Sequence, residues 1–180
     1  MILRKRLGSL LRQSQSFRLY RRLAIGFRPE FMIREAYPAD MVMVETHFNP
    51  GSSIPMQASS PDVTNFIACR KNRIIGFVQL VRPDRGASHY SGYWLFTLYV
   101  WPLYRGLGIG EALSRRVMEQ ARMENARELS LLVYEDNRAA SCMYKKLGFA
   151  RVLVPELEKM LEEEKKSYGR RRIVLRRQLP

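Results

Sequence analysis

An α/β (α+β) domain is what the sequence predicts, on three observations. The first is a strand–turn–helix passage. An uncharged aromatic and β-branched run from Tyr93 to Trp101 reads as a buried strand that Pro102 stops. The glycine-rich turn Arg105-Gly106-Leu107-Gly108-Ile109-Gly110 follows, then a helix with Ile109, Leu113, Val117 and Ala121 on one face, ending near Asn125. The second is the next apolar run, Glu128–Tyr134 with Leu129, Leu131, Leu132 and Val133. Only one helix separates it from the strand before, so the two form a parallel crossover unit. The third is a pair of alternating runs, Asn65–Arg70 and Arg73–Val81, joined by Lys71-Asn72 as a tight hairpin. A hydrophobic content of 46% in 180 residues supports one domain with a real core and a short extension. Pro29 marks the boundary, giving a basic amphipathic extension over 1–29 and the domain over 30–180.

The glycine turn carries the first chemical signal. A strand, a glycine-rich turn and a helix N-terminus in that order leave several backbone N–H groups free at the positive end of a helix, where phosphate binds well. Gly106, Gly108 and Gly110 remove the side chains that would keep an oxyanion from those amides. A P-loop would close with Gly-Lys-Ser/Thr, and Gly110-Glu111 has no lysine. The dinucleotide fingerprint would need a glycine where Glu111 stands. A helix-entry loop with incidental glycines fits the turn on its own as well as a phosphate cradle does.

The remaining elements follow in order. Phe31–Arg34 reads as a short strand, and Pro38-Ala39-Asp40 opens a helix through about Phe48. Asn49–Asp62, rich in Gly, Ser and Pro, reads as a loop, and Arg82–Ser91 as a polar turn. Asn137 caps a helix whose inner face carries Ala140, Met143, Tyr144 and Leu147, with Gly148 as its left-handed stop. Ala150–Val154 is a strand, Pro155-Glu156 opens a charged helix through about Lys166, and Arg170–Arg177 is a last strand with Ile173 and Leu175 inward. That last helix either walls a pocket or decorates the surface.

Three passages together resemble the GNAT N-acetyltransferase superfamily. They are Ile33–Asp40 as opening strand and helix, Arg105–Gly110 after Val100-Trp101-Pro102, and the run Asn137 to Phe149, with Ala140, Tyr144 and Leu147-Gly148-Phe149. The second and third match in the family's order, about 27 residues apart, and the resemblance covers roughly residues 31–150. It implies a single GNAT-like domain with a mixed, mostly antiparallel sheet. Helices flank it, and its central parallel pair splays to admit pantetheine. The cosubstrate implied is acetyl-CoA, with Leu98, Val100, Arg105, Gly106, Gly108, Ile109, Gly110 and Asn137 binding it and Tyr144 as general acid toward the departing sulfur. The backbone N–H of Val100 would donate to the thioester carbonyl in the manner of an oxyanion hole. No general base follows: Glu35, Glu45, His47, Glu135 and Asp136 are candidates, and a chain of waters serves equally.

Charge is concentrated at the ends. Residues 1–29 carry eight basic side chains and residues 165–180 seven, neither with an acid, while 30–164 hold 16 basic and 17 acidic, a net of −1. Attraction to an anionic surface, membrane or nucleic acid, is therefore expected from the ends. Leu3, Leu7, Leu10, Leu11, Phe17, Tyr20, Ala24 and Phe27 make 2–27 a basic amphipathic helix. Docking on the body or on a second copy, as a homodimer, is one use for it; lying on an anionic membrane and serving as an organellar presequence are the others. Cys69 and Cys142 lack metal-type spacing, so no metal is expected, and they read as reduced core or near-core residues of a cytoplasmic protein.

Three functions fit. The first is an acetyl-CoA-dependent N-acetyltransferase acting directly on a small-molecule or peptide amine. The second is a non-catalytic or longer-chain acyl-CoA-binding module. The third makes the basic ends the main function, with no nucleic-acid motif to support it.

Overall fold

The structure, a computed structural model, describes residues 30–48, 60–82 and 90–180. The amphipathic segment 1–29, most of the loop at 49–62 and most of the turn at 82–91 lie outside the described residues. Seven strands form one sheet: β1 Met32–Glu35, β2 Val63–Arg70, β3 Arg73–Val81, β4 Tyr93–Val100, β5 Glu128–Tyr134, β6 Ala150–Val152 and β7 Arg172–Gln178. Among the described residues the α-helices are α1 Pro38–Phe48, α2 Ile109–Met123, α3 Arg138–Lys146 and α4 Pro155–Tyr168. The strand order is β1-β2-β3-β4-β5-β7-β6. Every neighbouring pair is antiparallel except β4–β5, so the expected mixed sheet with a parallel central pair is present.

Alternation along the strands sorts the core into layers. On one face Val78, Leu95, Leu131 and Leu175 pack against Leu113, Val117 and Ala121 of α2 and against Tyr144 and Leu147 of α3. Gly76 of β3 lets α2 come close, because a Cβ there would stand 3.0 Å from Leu113 Cδ1 and 3.2 Å from Ile109 Cγ2. On the opposite face Met41 and Val44 of α1 cover Ile67, Ile74 and Phe77. Beside them Leu157 and Leu161 of α4 cover Trp94 and Val174.

Three expectations change here. Helix α4 is neither decoration nor only a pocket wall, since it seals Trp94, which is 1% exposed on the central strand. Strand β7 turns Ile173 and Leu175 toward the α2–α3 layer as expected, but it also buries Val174 on its other face, under α4. Cys142 lies exposed on α3, and only Cys69 is near the core.

The C-terminal basic run also reads differently in three dimensions. Arg170 pairs with Asp136, Arg171 with Glu158 and Glu162, Arg172 with Glu164, and Arg176 with Glu128. Carboxylates of the neighbouring α4, of β5 and of the loop after β5 thus pair with four arginines of this basic run. Among the described residues no helix is long and apolar enough to cross a membrane.

Candidate active site

The central strands part. Strands β4 and β5 pair only at Tyr93–Leu129, Trp94–Ser130 and Leu95–Leu131, although β4 runs on to Val100 and β5 to Tyr134. Beyond Leu131, β5 stays with β7, and beyond Leu95, β4 stays with β3. A bulge accompanies the parting. Between the pairs Gln79–Phe96 and Phe77–Tyr99 strand β4 holds one residue more than β3, and Thr97 there has φ +53°. A β-branched residue in the left-handed region is strained.

The bulge sets the direction of the amides that follow. Trp101 N–H donates to Ile75 O at 2.9 Å, toward β3. By strand alternation the N–H of Val100 then points the other way, into the widening gap beside β5, where no ladder continues.

At the end of β4 the chain makes a 3₁₀ turn at Pro102–Tyr104 and enters α2. Gly106 and Gly108 have φ near +82° and +83°, a conformation that side-chain-bearing residues rarely adopt. Gly108 is the N-cap of α2 and, without a side chain, supplies no capping bond. The backbone bonds of this turn go to Tyr104 and Arg105, and Ala112 is the first amide bonded within the helix. The amides from Gly106 to Glu111, Ile109 and Gly110 included, therefore have no backbone acceptor among the described residues. That is a row of donors at the positive end of a 15-residue helix. Arg105 Nε donates to Val100 O at 2.9 Å and its guanidinium lies over the Tyr99 ring, stapling the turn to β4. Glu111, the one acid of this first turn, is held by Arg115 at 2.9 Å one helical turn along.

Helix α3 adjoins this turn. A Cβ on Gly110 would meet Met143 Sδ at 3.4 Å, Val100 Cγ2 at 3.7 Å and Leu98 Cδ2 at 3.9 Å. The glycine bend, the end of β4 and the residue before Tyr144 thus share one spot. Asn137 is exposed and caps α3, its Oδ1 accepting from Ala140 N–H at 3.3 Å. Tyr144 stands three residues before the helix's C-cap, Leu147. Phe149 N–H donates to Tyr144 O and Gly148 N–H to Lys145 O, which is a Schellman stop. The rings of Tyr144 and Phe149 meet edge to face at 5.6 Å. Arg177 adds a bond to the Leu147 carbonyl from β7.

The Tyr144 ring is buried, yet its hydroxyl has no hydrogen-bond partner among the described residues. No fully enclosed side-chain oxygen or nitrogen among the described residues lacks one, so the Tyr144 oxygen keeps some accessible surface. Burial alone pushes the phenol well above its ordinary range, and no charged side chain contributes.

Of the candidate bases, Glu135 pairs with Arg151 and Asp136 with Arg170 at the surface. Glu35 lies at the exposed end of β1. The side chains of Glu45 and His47 lie outside the described residues.

One polar set escaped the sequence reading. Asn65 and Gln79 are buried in otherwise apolar strands, and Gln79 joins Asn65 to Thr97 by hydrogen bonds. The signal was present as a single amide in each of the runs VTNFIAC and IIGFVQLV.

The family model described as "Acetyltransferase (GNAT) family" matches residues 29–149, and the chain belongs to that family, whose cosubstrate is acetyl-CoA. It is 33% identical over 76 residues to "Putative ribosomal protein bS18-alanine N-acetyltransferase" of Bacillus subtilis, covering 38% of this chain and 50% of that one. It is 31% identical over 87 residues to N-alpha-acetyltransferase 30 of Schizosaccharomyces pombe, covering 48% and 57%. The chain thus spans about half the length of the curated relatives it matches. The fold is also that of a Bacillus anthracis protein titled "putative streptothricin acetyltransferase", solved in complex with acetyl coenzyme A. The TM-score is 0.63 at 19% identity over 84% of this chain and 98% of the other.

Proposed function

We propose that this chain transfers an acetyl group from acetyl-CoA directly to an amine, with the thioester lying in the gap between β4 and β5. The observation that carries the reading is the meeting, around Gly110, of the glycine turn, the end of β4 and the helix that bears Tyr144. The unpaired amides from Gly106 to Glu111 hold the diphosphate, and Arg105 keeps that turn against β4. Asn137, at the exposed start of α3, meets the pantetheine arm with the amide nitrogen that its capping role leaves free. Val100 N–H, with Leu98 N–H beside it, donates to the thioester oxygen as negative charge gathers there.

The amine attacks the thioester carbon, the C–S bond breaks, and the Tyr144 phenol gives its proton to the departing sulfur. A phenol raised by burial stays protonated throughout the working pH range, as an acid must. The amine's proton passes to a chain of waters that returns one to the Tyr144 phenolate, since Glu135 and Asp136 are held by Arg151 and Arg170. Holding amine and thioester together supplies much of the acceleration. The acceptor class is an amine, and the two curated relatives, whose names specify N-acetyl transfer, favour a peptide amine over a small molecule.

Thiol release from acetyl-CoA with a panel of peptide and small amines tests the reading. Turnover with at least one is expected, and cofactor binding without release across the panel would overturn it in favour of a binding module.

A further inference from the structure

We infer that buried Asn65 and Gln79 and half-buried Thr97 form a strut that holds the β4 bulge and thereby aims the Leu98 and Val100 amides at the thioester; the inference rests on the reading just given. The three side chains stand at one level across three strands. Asn65 opposes Gln79 between β2 and β3, and Gln79 opposes Phe96, the neighbour of Thr97, between β3 and β4. Thr97 Oγ1 donates to Gln79 Oε1 at 2.8 Å, and Gln79 Nε2 donates to Asn65 Oδ1 at 3.0 Å. Asn65 is tied in turn through its backbone, where its carbonyl accepts from Ala36 N–H at 2.8 Å, just before α1. Asn65 is 6% exposed and Gln79 4%, so neither amide has water as a ready substitute partner.

The strut ends on the one residue of β4 that needs support. Thr97 sits at φ +53°, where a β-branched side chain is strained, and such a conformation persists only where the surroundings impose it. The backbone offers little at that point. Pairing with β5 has stopped at Leu95, and pairing with β3 skips across the bulge. The Thr97–Gln79 bond is the side-chain contact that fixes the kink, and the kink decides which way the next amides face. These are positioning residues, and none of them touches the reacting atoms.

The test uses the full chain and acetyl-CoA carrying ¹³C at the thioester carbonyl, without an acceptor, followed by steady-state kinetics with the best amine found. Thr97→Val keeps the shape and removes the donor, Thr97→Ser keeps the donor, and Gln79→Leu removes the middle of the strut. In the unmodified chain the bound carbonyl resonance should move downfield from that of free acetyl-CoA. Thr97→Val and Gln79→Leu should lose most of that shift and at least tenfold in kcat, with KM for acetyl-CoA changed less than threefold. Thr97→Ser should restore both, and the double variant should be no worse than either single one. An unshifted carbonyl in the unmodified chain would defeat the amide reading itself. A shift there that Thr97→Val leaves intact, or that Thr97→Ser fails to restore, would overturn the strut alone.

Discussion

Tyr144 shows how one side chain serves two ends. Its ring is core, packed edge-on against Phe149, while its hydroxyl is left without a partner among the described residues. Removing that oxygen should leave folding and cofactor affinity nearly unchanged. Tyr144→Phe is therefore expected to lower kcat about 10²-fold or more, with the dissociation constant for CoA, measured by calorimetry, within about twofold. The same burial predicts the pH profile. A phenol held well above its ordinary range gives no falling alkaline limb below about pH 10. The rate should instead rise as the acceptor amine deprotonates, with a midpoint that follows the acceptor when an α-amine (pKa about 8) is exchanged for a lysine-like one (about 10.4). A fall in kcat near neutral pH that did not move with the acceptor would point to a protein base. The elements that carry these residues are legible in the sequence, because the glycine turn into α2 and the Asn137-capped helix are local patterns. Asn65 and Gln79 are not. Their meaning depends on strand register, which sets a residue of β2 beside one fourteen positions later.

Elements here are placed by close approach and by a few ties between distant segments. Gly76 is where α2 meets the sheet, with Leu113, Ile109 and the Tyr99 carbonyl all within 3.2 Å of a would-be Cβ. Gly76→Val should cost about 1–3 kcal/mol, read as a lower denaturant midpoint at unchanged slope. Arg82 ties the end of β3 to Glu124 just past α2, and also donates to Thr64 Oγ1. Arg34 ties β1 to Asp40 in α1 through two bonds of 2.7 and 3.0 Å. Hydrogen bonds from those arginines hold both carboxylates below their usual range. A group depressed in the folded state contributes stability above its unfolded pKa, about 3.9 for Asp and 4.3 for Glu. That contribution is lost as pH falls through the still lower folded values. Thermal midpoints should therefore drop below about pH 4, and Glu124→Gln should make the drop shallower while lowering stability at neutral pH. A drop of unchanged steepness in that variant would show that the pair contributes nothing. Strand and helix identities were readable from periodicity. The role of α4 was not, since its apolar Leu157 and Leu161 find their partner, Trp94, on a strand more than sixty residues earlier.

At the scale of the whole molecule, charge is the property that a linear count misplaces. Four arginines of the C-terminal run, Arg170, Arg171, Arg172 and Arg176, have carboxylate partners from Glu128, Asp136 and α4. The +7 segment is thus met locally by acidic side chains, from β5 and its following loop through the sheet order and from α4 packed alongside, with the net charge unchanged. The gap, by contrast, was foreseeable in outline from the family resemblance, and the fold supplies its cause: a parallel pair that stops at Leu95–Leu131 and a bulge at Thr97. The most direct measurement is a crystal structure of the chain with CoA or an acetyl-CoA analogue that cannot be cleaved. The diphosphate should lie within hydrogen-bond distance of amides between Gly106 and Glu111, with the sulfur beside the Tyr144 hydroxyl and the carbonyl oxygen facing Val100 N–H. A ligand seated elsewhere, or one whose sulfur lies outside the β4–β5 gap with Tyr144 untouched, would contradict the account.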